Sequence, residues 1–246
     1  MENVLLIALS RQTALRREMD VIANNVANAN TNGFKRRIST SREFQMPVAS
    51  ADSFRRGDDR RVSFVVDRGT PLDLSGGKLE PTGNPLDVAI TGEGFFVVQT
   101  PQGERYTRNG ALMLNANGEL VNSDGYALQG EQGAFQFTQQ DGPISIAGDG
   151  TVGTNNGTRG RLRVVRFGNP QALENVGANL FTTRQQAEPV TQARVQAGYV
   201  ERSNVQPVVE ISRMIEVNRA YQNVASLMSR TDETRRTAIQ RLGEPI

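Results

Sequence analysis

The sequence contains no cysteine, histidine or tryptophan. Their joint absence removes thiol nucleophiles, disulfides, imidazole bases and the usual zinc ligands. A cysteine-free chain suits an extracytoplasmic protein that dispenses with disulfides. Lysine is scarce too: Lys35 and Lys78 are the only ones, so arginine carries almost all the positive charge. Net charge is only +2, so the whole molecule is no magnet for nucleic acid. Hydrophobic residues make up 37% of the 246, and mean hydropathy is −0.46. Both values are low for a fully compact chain, and part of it is expected to fold only on contact with partners. No apolar run approaches the roughly 18 residues that a membrane span needs. Val4 to Leu9 is apolar but short and follows Glu2, so no cleaved secretory signal is read there. Taken alone, these features read as soluble and intracellular.

What is present falls into helical ends around a turn-rich middle. Of the 24 glycines, 21 lie between Gly69 and Gly198, and none precedes Gly33. Residues 3–28 read as one amphipathic helix, ~39 Å long at 1.5 Å per residue. Its seam is Leu5, Ala8, Gln12, Leu15, Met19, Ile22 and Val26, in alternating steps of three and four. Residues 205–242 read as a second helix, with Asn204 or Ser203 as cap, Pro207 in the first turn and Gly243 at the end. Its seam runs Ile211, Met214, Val217, Tyr221, Val224, Met228 and Thr231. An amphipathic helix packed on its own core explains either seam, and so does pairing between copies. Between helix and glycine region stand five asparagines, at 24, 25, 28, 30 and 32. Asparagine competes for backbone hydrogen bonds inside a helix, so this run is either a redundant stop or a set of amides with specific partners.

Residues 34–75 carry no clean period and read as an extended linker containing the charged run FRRGDDRR and the β-like Val62–Val66. Residues 76–200 read as a compact β domain of short strands. LDVAI and GFFVVQT come first, then a three-strand meander over 111–129 with Asn117-Gly118 and Asp124-Gly125 as two-residue turns. A short helix is expected over 170–176 behind Asn169-Pro170. Gly148-Asp149-Gly150-Thr151-Val152-Gly153 fits a dinucleotide fingerprint, but turn sequence follows where a helix is required. Asn156-Gly157-Thr158 is a glycosylation sequon that reads more simply as a β-turn. With no His beside any Ser, no catalytic, cofactor or metal residue is assigned.

ANNVANANTNGFK resembles the signature of the flagellar rod and hook protein family. Asn24, Asn25, Val26, Ala27, Asn28, Thr31, Gly33, Phe34 and Lys35 match in order and spacing. NPLDVAITGEGFFVV and YTRNGALMLNANGELVNSDGYALQG are similar to the family's central blocks. Glu201, Ser203, Asn204 and Val205, followed by Arg219, Tyr221 and Asn223, are similar to its C-terminal block. The match over 131–197 is loose. Within the family the opening helix is most similar to the proximal-rod type, with the distal-rod type as close competitor.

The resemblance implies an α+β fold of two terminal amphipathic helices forming a coiled-coil-like stem, an extended linker and a central mainly-β domain. The expected divisions are 1–33, 34–75, 76–200 and 201–246. It implies a structural subunit, not an enzyme and without cofactors. Its terminal helices would assemble around an export channel, and the rod would transmit torque in the periplasm. Expected partners are other rod proteins, further copies and the flagellar export apparatus, with no nucleic acid and no membrane span. Export would proceed without a cleaved signal. The alternatives are a glycan or cell-wall binding module or enzyme built on the β domain, and a nucleic-acid scaffold resting on Arg55, Arg56, Arg60 and Arg61.

Overall fold

The computed structural model describes residues 2–45 and 63–243. The run FRRGDDRR, with Arg55, Arg56, Arg60 and Arg61, lies outside the described residues. The chain divides into two compact units. One gathers the N-terminal helix, residues 37–71 and the C-terminal helix; the other gathers residues 28–36 and 72–205.

In the helical unit, α1 spans Glu2–Ala27 and α2 spans Pro207–Gly243. Leu15, Ile22 and Val217 are buried together, with Met19, Val26, Met214, Ala220, Tyr221 and Val224 packed around them. Asn25 meets Glu210 and Glu18 meets Arg213, so the helices run antiparallel. Each seam therefore finds its partner inside the same chain. The residues expected as a linker supply a ladder as well: β1 (Thr40–Gln45) pairs antiparallel with β2 (Ser63–Gly69), placing Phe44 opposite Phe64. The second strand covers most of the β-like Val62–Val66, whereas charged residues in the first, and the length of chain between the two, hide the pairing from a periodicity reading. An α+β architecture stands.

In the β unit, β3 is Leu79–Pro81, β4 Val88–Thr91, β5 Phe95–Thr100 and β6 Gly103–Thr107. The meander follows as β7 (Leu112–Leu114), β8 (Leu120–Asn122) and β9 (Ala127–Gly130). β5 is central, paired with β6, with β9 and with the strand Val164–Arg166. Phe96 and Val98 enter one core with Val88, Leu120, Leu128 and Leu162. Phe95 and Val97 enter another with Tyr106, Val165 and Phe181. A strand buried on both faces has no reason to alternate, which is why GFFVV reads as an unbroken apolar run.

Two local expectations are corrected. The meander turns are longer than two residues. Asn115 Oδ1 accepts from the N–H groups of Asn117 and Glu119, both at 2.9 Å. Asn122 Oδ1 does the same for Asp124 at 3.1 Å and Tyr126 at 2.8 Å. Asn115 and Asn122, each three residues ahead of the turn glycine, organise the loops, a job a two-residue hairpin does not need. The helix expected over 170–176 is a 3-10 turn, Pro170–Ala172, capped by Asn169. It stops because Glu174–Asn175 is drawn into pairing with Phe181–Thr182.

Candidate functional site at the paired terminal motifs

The asparagine run ends α1 and returns the chain into the β unit. Thr31 N–H donates to Asn28 O at 3.1 Å, and Thr31 Oγ1 bonds Asn28 Oδ1 at 3.2 Å, closing a turn. Gly33 follows at φ +69°, and a Cβ there would stand 2.4 Å from the Arg108 carbonyl carbon. Only glycine fits that approach. Gly33 N–H then donates to Glu201 O at 2.6 Å, joining the two terminal motifs through their backbones.

Lys35 and Glu201 are the centre of this junction, at 1% and 2% exposure. Lys35 Nζ donates to Glu201 Oε1 at 2.6 Å and to Ser75 O at 2.7 Å. Gly77 N–H donates to the same Oε1 at 2.9 Å. On the other side Arg108 Nη1 lies 3.4 Å from Glu201 Oε2. Arg108 also donates to Ile90 O and, at 2.5 Å, to Gly92 O, and stands over the Phe95 ring. Burial pushes the pKa of Lys35 down, with Glu201 opposing the shift and Arg108 adding to it. Burial likewise pushes Arg108 down, opposed by Glu201 and then Glu93. One buried carboxylate thus serves two buried cations.

A second layer surrounds the pair. Asn204 Oδ1 accepts from Arg36 N–H at 2.7 Å, and its Nδ2 donates to Asp73 O at 2.8 Å and to Ser75 O at 3.2 Å. Asp73 pairs with Arg36 at 3.2 Å, and its pKa is lowered first by Ser75, then by Arg36. Arg202 bridges Asn32 Oδ1 at 3.1 Å and Glu80 at 2.7 Å. Ser203 Oγ accepts from Val205 N–H at 3.2 Å. Phe34 and Val205 are buried. Asn204 therefore ties two irregular segments of the β unit together, around Arg36 and around Asp73 to Ser75, where its position before α2 had marked it as a helix cap. In the helical unit Asn25 plays a comparable part: Oδ1 accepts from Arg37 N–H at 3.0 Å, and Nδ2 donates to Arg37 O at 2.9 Å and Glu210 Oε2 at 3.1 Å.

Of the motif residues singled out in the sequence, Gly33, Lys35, Glu201 and Asn204 meet here, with Phe34 and Val205 buried nearby in the chain. Asn28 and Thr31 shape the turn. Asn24 is exposed on α1. Among the seam residues, Ala8, Leu15 and Ile22 are buried and Leu5, Met19, Val26, Met214, Tyr221, Val224 and Met228 half-buried, whereas Ile211 is 48% exposed. Sequence reasoning missed Arg108, Asp73, Ser75 and Glu210. Arg108 alone carried a sign, as the last residue of Tyr-Thr-Arg. The arrangement holds backbone segments, with Lys35 and Arg108 both facing the one carboxylate of Glu201. Among the described residues no cluster of three Asp or Glu suits a metal ion, and no helix is long and apolar enough to cross a membrane. Asp149, within the glycine fingerprint, bonds Thr151 and Arg161 at a strand start.

The junction brings the segment that follows α1 against the segment that precedes α2. Residues 5–35 match the family described as flagella basal body rod protein. Residues 89–154 match the flagellar hook protein FlgE/F/G D1 domain, and residues 196–241 the flagellar basal body rod FlgEFG protein C-terminal family. The flagellar basal-body rod protein FlgF of Caulobacter vibrioides is 40% identical over 248 residues, covering 99% of each chain. FlgF of Mesorhizobium japonicum is 36% identical over 99% of each. The flagellar basal-body rod protein FlgG of Buchnera aphidicola subsp. Baizongia pistaciae is 32% identical over 92% of this chain. The chain belongs to the flagellar basal-body rod protein family.

Proposed function

We propose that this protein is a structural subunit of the bacterial flagellar basal-body rod, of the proximal-rod type. The observation that carries the reading is the 40% identity to a rod protein over 99% of both chains, with both terminal motifs inside the match. The FlgF relatives match at higher identity and coverage than the FlgG relative, which supports the proximal over the distal type. In this reading α1 and α2 form a coiled-coil-like stem lining the export channel, and the β unit stands outside in the periplasm. Partners are other rod proteins, further copies and the export apparatus that delivers the chain without a cleaved signal. The work is mechanical, with no catalytic step.

The pairing of the seams refines how the stem assembles. Leu15, Ile22 and Val217 join the helices of one chain. Neighbours then meet the outward faces, where Leu6, Leu9, Val208, Ile211 and Ile215 are exposed. Mass spectrometry of detergent-insoluble basal bodies tests the reading, comparing cells that make the full chain with cells that make residues 1–204. Full-length chain in the structure, with truncated chain exported but absent, is the expected result. A full chain found only in the soluble fraction rejects the rod and favours a binding module.

A further inference from the structure

Four asparagines are followed directly by glycine: Asn32, Asn109, Asn117 and Asn156. Asparagine is a thermolabile residue, and most so before glycine, where no side chain shields the next backbone nitrogen. That nitrogen can attack the carbon of the side-chain amide. A bond forms between them, ammonia leaves, and a cyclic succinimide remains. Water then opens the ring to aspartate or isoaspartate. The reaction needs a side chain able to swing, a glycine N–H released from its partner, and water at hand. By sequence the four sites are alike; in the fold they are not.

Asn32 is held on every side. Its Oδ1 accepts from Arg202 at 3.1 Å and its backbone carbonyl from Asn179 Nδ2 at 2.7 Å. The Gly33 N–H beside it is spent on Glu201 O, inside the buried junction. Asn109 is buried, with Oδ1 accepting from Ala111 N–H at 3.1 Å and Nδ2 donating to Ser123 Oγ at 3.3 Å. Asn156 is exposed, but its Nδ2 donates to Gln140 O at 2.8 Å, which keeps the amide from turning towards Gly157. Asn117 differs from all three. It is exposed, and its side-chain amide has no hydrogen-bond partner among the described residues. The Gly118 N–H is tied only to Asn115 O, at 3.0 Å, within the same loop. A lone bond of an exposed loop opens far more often than one inside a buried junction.

We propose that Asn117 is a site of spontaneous deamidation in the folded protein, and that the junction shields Asn32 from the same reaction. The product changes the loop in two ways. A new carboxylate appears close to Glu119, whose own carboxylate accepts from Asn115 Nδ2 at 2.7 Å. Isoaspartate also adds a methylene to the backbone between the two N–H groups, of Asn117 and Glu119, that Asn115 Oδ1 holds. The turn that Asn115 organises is then reshaped at its tip.

The full-length protein, kept in warm, mildly alkaline buffer, tests this. Samples taken over time are digested, and fragmentation in the mass spectrometer locates each converted asparagine and separates aspartate from isoaspartate. A parallel sample in concentrated urea gives the rates without the fold. In urea the four sites are expected to convert at similar rates. In the folded protein Asn117 is expected to convert first, about tenfold or more faster than Asn32 and Asn109, because only its bonds open locally. Earlier conversion of Asn156, or equal rates at Asn117 and Asn32 in the folded protein, overturns the proposal. So does an intact Asn117 over the time in which the urea sample converts.

Discussion

Glu201 is the residue on which both buried cations of the β unit's junction converge. Glu201→Gln strands Lys35 and Arg108 together, whereas Lys35→Met leaves Arg108 and Glu201 paired. The first is expected to cost about 3–5 kcal/mol, the range for breaking a buried pair, and the second clearly less. Urea unfolding followed by tyrosine fluorescence ranks the two, and the reverse order would show that Arg108 alone does not satisfy Glu201. Asp149 offers a test at low pH. Its carboxyl is held down from 3.8 to about 2, first by Thr151 and then by Arg161. A depressed carboxylate pKa stabilises the fold above the ordinary value, and that stability is lost as the pH falls from 3.8 towards about 2. Asp149→Asn is therefore expected to flatten the fall in unfolding midpoint over that window. An unchanged slope would assign the acid sensitivity elsewhere.

At the scale of elements, α1 and α2 are each other's first partner. Leu15 is buried against α2, and Val224 packs on the same small core. Leu15→Asp or Val224→Asp places a charge in that seam, at a cost of several kcal/mol unless the helices part. Both variants are expected to lose incorporation while the β unit stays folded. Circular dichroism would show reduced helix, and the Tyr106 signal would persist. Incorporation at the wild-type level would mean that the seam is not buried in the assembled state.

The whole molecule is two units of unequal substance. The β unit has two apolar cores and a buried ion cluster, whereas the helical unit rests on a narrow seam. Isolated helices are marginal, and a seam this thin adds little. Hydrogen exchange on a verified monomer is expected to protect β5, β6 and β9 most strongly, with α1 and α2 exchanging much sooner. Equal protection of the helices would show that the hairpin is stable without neighbours.

The sequence by itself determined the helical ends, the glycine-rich β middle and the family, because heptad spacing, turn residues and end motifs are local patterns. Periodicity picked out Leu15, Ile22 and Val217, which are buried together, but also Ile211, which is 48% exposed, and it did not say what either seam would face; only tertiary structure turned them toward each other within one chain. The asparagine run was legible as a helix stop. That Asn25 would hold both backbone groups of Arg37, and Asn32 accept from Arg202, was not, since an amide gives no hint of a partner distant in sequence. The same limit hid the junction. Lys35, Arg108 and Glu201 are far apart along the chain, and each alone reads as a solvated charge. Folding decided otherwise, by burying two cations that are tolerable only because Glu201 faces both.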